Sequence, residues 1–81
     1  MITAEYIISE MGLNNNCTFT PTPGQMVELR LLVACPTVQA LSPDELDTFL
    51  DGEHDDQLAI ARRSITLTAL HVLLNEIFDE A

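Results

Sequence analysis

The stretch from Asp56 to Glu80, DQLAIARRSITLTALHVLLNEIFDE, has neither Gly nor Pro and carries apolar residues around most of its circumference. Such a pattern predicts one long helix, and a helix that is apolar all round must be surrounded by protein. Two stripes can be traced along it. One runs Leu58, Ala61, Ile65, Ala69, Val72, and the other Ile60, Leu67, Leu70, Leu74, Ile77, Phe78. The remainder of the chain is expected to cover the first stripe. The second, with His71 beside it, asks for more protein than a short chain supplies, so a homodimer through Leu67, Leu70, His71, Leu74, Ile77 and Phe78 is the expected arrangement.

The pieces available to surround this helix are short and well punctuated. Thr3 is a good N-cap for a first helix over Ala4–Met11, with Ile2 placed to staple onto Ile7. Gly12 is expected to end it in a left-handed conformation, folding Leu13 back onto Ile8 and leaving Tyr6 in the core. Asn14–Pro23 reads as a linker, because its Asn, Thr and Pro content excludes regular helix. Thr22-Pro23-Gly24-Gln25 then combines an N-cap, a first-turn proline and a capping-box glutamine, which predicts a second helix running to about Ala34. Val27, Leu29, Leu31 and Val33 also alternate like a strand, but the sequence offers no second strand to pair with, so Met26–Ala34 is read as helix. Pro36–Leu41 is a connector of about one turn. Ser42-Pro43-Asp44-Glu45 opens a third helix with the strongest local signal in the chain, and Gly52 closes it. Asp55 or His54 is expected to cap the long helix. The whole predicts a single all-α domain over residues 1–81: four helices, the last one long and central.

Size and composition set the limits. A chain of 81 residues buries only about 60% of its unfolded surface, so its core is marginal, yet 47% hydrophobic residues place it well outside disordered composition. Thirteen acids stand against three cations, Arg30, Arg62 and Arg63. Phosphate backbones and anionic membrane surfaces both require cationic groups, so neither direct nucleic-acid binding nor membrane association is expected. A protein partner with a basic surface is. The N-terminus has no basic region ahead of an apolar run and no segment reaches membrane-spanning length, so a cytoplasmic chain with reduced Cys17 and Cys35 is expected, Cys35 as a small buried hydrophobe.

Seven acids fall within thirteen residues, Asp44, Glu45, Asp47, Asp51, Glu53, Asp55 and Asp56. These are the expected partner-binding face. Their spacing does not make a calcium loop, since the twelfth position counted from Asp51 is Arg62 rather than Glu. His54-Asp55 lacks the further ligands of a metal-dependent hydrolase. If the third helix doubles back at Gly52, Arg62 and Arg63 lie opposite Glu45 and Asp44 and clasp that hairpin. Neither cysteine nor any serine has the setting of a nucleophile, and no glycine-rich phosphate loop exists. No catalytic residue, metal or cofactor is therefore expected. Acyl carrier proteins are also small and acidic, but the Asp-Ser-Leu attachment site that opens their second helix is replaced here by Thr22-Pro23-Gly24.

Overall fold

A computed structural model of the chain describes residues 1–14 and 20–79. Every regular element among them is helical: α1 (Ala4–Asn14), α2 (Pro23–Val33), α3 (Pro36–Gln39), α4 (Pro43–Asp51), α5 (His54–Ala61) and α6 (Ile65–Asp79). The all-α class agrees with the sequence pattern, but there are six helices rather than four. The difference arises from the connector, which forms the single turn α3, and from the long helix, which is two.

The break falls at Arg62-Arg63-Ser64. The Arg62 and Arg63 amides still donate to the Leu58 and Ile60 carbonyls, at 2.9 and 3.1 Å. Ser64 then restarts the chain as an N-cap, its hydroxyl oxygen accepting from the Leu67 amide at 3.0 Å. The Thr68 hydroxyl lies 2.7 Å from the Ala61 carbonyl oxygen, one of the acceptors that the end of α5 leaves open. The apolar pattern runs through the break without a fault, which is why a single helix is expected from it. The break turns α5 into a covering element that packs on α6, as α2 and α3 do.

That extra cover decides which stripe is inside. Leu67, Leu70, Leu74 and Ile77 are buried, with Leu73 between them, and Phe78 packs against the same core. The first stripe is the one left partly open: Ile65 is 90% exposed and Val72 50%. The expected assignment of the two stripes is thus reversed: the side that appeared to need a second copy is buried within this chain, where α2, α3 and α5 all pack on α6. Ile7, Leu29, Val38 and Phe49 complete the centre from α1, α2, α3 and α4.

The capping signals act as read. Thr22 and Ser42 each form a reciprocal capping box, with Gln25 and Glu45 reaching back to the cap amides at 2.9 Å. The Thr3 side chain accepts from the Tyr6 amide at 3.1 Å at the start of α1. α2 is helix throughout, burying Leu29 and Val33 and leaving Val27 and Leu31 outside.

Other details differ. Gly12 lies buried within α1, which continues to Asn14; one glycine costs a helix interior only about 1 kcal/mol, which packing overrides. Leu13 consequently points outward, 73% exposed, and Tyr6 sits at the rim, 45% exposed. α5 starts from Glu53 rather than His54 or Asp55, with no side-chain hydrogen bond at its cap. Gly52 has φ −77°, so its role is space: a β-carbon there would lie 2.5 Å from the Thr48 carbonyl oxygen. Cys35 is a half-buried free thiol 3.5 Å from the Leu31 carbonyl oxygen. Cys17 and half of the predicted linker, residues 15–19, lie outside the described residues.

The N-terminus is held by one side chain. The Ile2 amide donates to Gln39 Oε1 at 2.9 Å, and Gln39 Nε2 lies 2.7 Å from the carbonyl oxygens of both Ile2 and Val33. Gln39 thereby ties the N-terminus to α3 and the end of α2. Gln39→Ala leaves these groups to find water, and a loss of about 1–3 kcal/mol is expected in urea unfolding.

Candidate interaction surface

α4 is the most strongly two-faced helix of the chain. Leu46, Phe49 and Leu50 point into the core, and Asp44, Asp47 and Asp51 occupy the opposite, solvent-facing side. Asp44 stands in the first turn of α4, and Asp55 and Asp56 in the first turn of α5, where the partial positive charge of a helix N-terminus favours carboxylates. Glu53 is exposed at the turn between the two helices. Six of the seven expected acidic residues therefore lie on one solvent-facing hairpin.

Glu45 is the exception. One of its carboxylate oxygens accepts from the Ser42 amide at 2.9 Å, and the other pairs with the Arg63 guanidinium from just beyond α5. The Ser42 backbone hydrogen bond first, then Arg63 and the Ser42 side chain, hold its pKa down at about 2, below the ordinary 4.5. An ion pair does clasp the hairpin, but one position out of the expected register: it joins Arg63 to Glu45, and among the described residues none joins Arg62 to Glu45 or Arg63 to Asp44. Arg30 is also engaged, its Nη2 2.9 Å from Glu5 Oε1 between α2 and α1. Two of the three arginines are thus paired with acids outside the exposed set. Among the described residues no ion pair reaches Asp44, Asp47, Asp51, Glu53, Asp55 or Asp56.

The six residues expected to meet a second copy lie elsewhere. Leu67, Leu70, His71, Leu74 and Ile77 are buried within one chain and Phe78 is half-buried. His71 is the only polar member of the described core. Its ring stands 6.0 Å from Phe49 and 6.3 Å from His54, with Asn75 Nδ2 3.4 Å from its Nε2. Burial, and then repulsion from His54, lower its pKa below the ordinary 6.5. The unfolded chain therefore takes up the proton at higher pH than the folded one. The contribution to stability is complete above pH 6.5 and is lost as pH falls through the folded value. Unfolding midpoints in urea should be lower at about pH 5.5 than at about pH 7.5. The His71→Leu variant should lack most of that difference.

No three His, Cys, Asp or Glu side chains converge to hold a metal ion among the described residues. No described helix is long and apolar enough to cross a membrane. Sequence reasoning overlooked one acidic residue near the hairpin: Glu10 of α1 lines a cleft of about 410 Å³ with Asn14, Asp47, Thr48, Asp51 and Gly52. Only the packing of α1 against α4 brings Glu10 there, since the facing positions Glu10 and Asp47 are 37 apart in the sequence. No protein-family model, curated protein or solved structure matches this chain.

Proposed function

We propose that this protein is an interaction module rather than an enzyme, and that its acidic α4–α5 face binds a basic surface on a partner protein. The observation that carries this reading is the set of six solvent-facing carboxylates, none ion-paired among the described residues, while Arg30 and Arg63 are engaged by Glu5 and Glu45. Carboxylates concentrated without compensating cations raise the local negative potential and steer cationic groups toward the face. In its sharper form the module is an inhibitor that covers the cationic groove with which its partner grips nucleic acid. Its chain-wide charge of −10 fits the same role. A homo-oligomeric assembly through the apolar face of α6 draws no support from residues that one chain already buries.

Capture from native lysate on the immobilised protein tests the reading. Specifically retained proteins should be basic and should elute as salt rises from about 0.1 M to about 1 M, where the screening length falls from about 10 to about 3 Å. Partners that stay bound throughout that range would overturn it.

A further inference from the structure

α1 and α4 pack side by side, and the groove between them changes character along its length. At one end Met1, Ile2, Tyr6, Leu41 and Leu46 contribute to a hollow of about 440 Å³. At the other, Glu10 and Asp51 border the acidic cleft of about 410 Å³. Asp47 lines both, so the two hollows adjoin.

The register explains the continuity. Tyr6, Glu10 and Asn14 recur every four residues on α1, and Pro43, Asp47 and Asp51 do so on α4. Residues four apart share a helix face, so each triplet forms one wall. Tyr6 and Pro43 line the apolar hollow, whereas Asn14 and Asp51 line the acidic one, so the two helices run in the same direction along the groove. The eight-residue rise from Tyr6 to Asn14, or from Pro43 to Asp51, spans about 12 Å. Over that length a bound segment passes from apolar contacts to carboxylates.

We infer that this groove is the docking site for a basic amphipathic segment of a partner protein. An apolar side chain of that segment sits against Tyr6 and Leu41, and an Arg or Lys lies against Glu10, Asp47 and Asp51. Charge complementarity selects this occupant: no ion pair reaches the three carboxylates among the described residues. A second copy of a chain carrying −10 would bring like charge to the same cleft. With the ends of the groove about 6–12 Å apart, anchor and cation are separated by about two to four residues in an extended segment, or four to eight in a helix. This inference rests on the acidic-face reading and sharpens it, moving the centre of contact from the α4–α5 hairpin to the α1–α4 side.

The test uses a synthetic amphipathic peptide of Leu, Ala and Arg, with one control peptide in which Arg is replaced by Gln and another in which Leu is replaced by Ser, measured by fluorescence anisotropy at low salt. The parent peptide should bind, and both controls should bind roughly tenfold more weakly. In the protein, Tyr6→Ala and the pair Glu10→Gln with Asp47→Asn should each weaken the parent peptide by a similar factor. Asp55→Asn with Asp56→Asn, on the hairpin but away from the groove, should change it less than about twofold. If the hairpin pair matters as much as the groove pair and Tyr6→Ala does nothing, the groove is overturned while the acidic-face reading stands. Equal binding by the Leu-to-Ser peptide has the same consequence. Failure of the parent peptide to bind overturns both. Concentration-dependent dimerisation without peptide, abolished by Tyr6→Ala, would show that a second copy is the occupant and overturn the inference.

Discussion

Leu70→Glu is expected to unfold this protein. Leu70 is fully buried on α6, the helix on which α2, α3 and α5 pack. Removing a buried leucine to a short side chain costs about 2–5 kcal/mol before any charge is considered. A carboxylate in that position also loses its hydration without gaining a cation, since the arginines lie at the surface. Total stability for a chain of this length is about 4–12 kcal/mol, so the combined cost is comparable with the whole. Far-ultraviolet circular dichroism should report the loss of most helix. The contrast with an assembly surface is direct: were α6 an interface, the same substitution would give a well-folded chain of lower mass. Val72→Glu, at a half-exposed position on the same helix, should fold normally.

Neutralising the exposed acids should have the opposite profile. A variant with Asp44, Asp47, Asp51, Asp55 and Asp56 changed to Asn and Glu53 changed to Gln keeps every core side chain and the Glu45–Arg63 pair. It should fold, with an unfolding midpoint close to that of the native chain. Relief of like-charge repulsion offsets the lost interactions of Asp44, Asp55 and Asp56 with the helix N-termini. Its affinity for a basic partner should fall roughly tenfold or more, because the steering field and the local contacts vanish together. Isothermal titration against the captured partner measures the loss. Binding within about twofold of the native chain would mean that the charge serves solubility alone.

How far the fold could be read from residues depends on the range of the interaction involved. The capping boxes at Thr22 and Ser42 are local chemistry, complete within four residues, and both form as the side chains imply. The helical state of α2 followed from the same reasoning, because a strand-like alternation without a second strand has nowhere to place its hydrogen bonds. The break at Ser64 is also local, yet it carries only half of a capping box, with Leu67 where Glu or Gln would complete the signature. The surrounding apolar periodicity hides it. Missing that break left one covering helix out of the count, and with it the burial of Leu67, Leu70 and Leu74 within one chain. Leu13 could not be placed without knowing that α1 passes through Gly12.

The surface divides in the same way. The acidic hairpin was visible as a charge run, and folding that run back at Gly52 implied an arginine clasp, though in a register one position away from the Arg63–Glu45 pair that forms. The participation of Glu10 was not visible, since it depends on α1 lying beside α4. The two roles of Glu45, cap and ion pair, were each legible, but the reading still counted it with the other six acids, from which these two contacts withdraw it.

The salt dependence of partner binding, compared between the native chain and the six-acid variant, tests the electrostatic account most directly. Association constants should be measured from about 0.1 M to about 1 M salt, across which exposed charges pass from weakly to strongly screened. The native chain is expected to lose affinity steeply over this range, and the variant to show a shallow line converging on the native value at high salt. Parallel lines of equal slope would contradict the account, because they would place the charge-dependent contacts somewhere other than these six carboxylates.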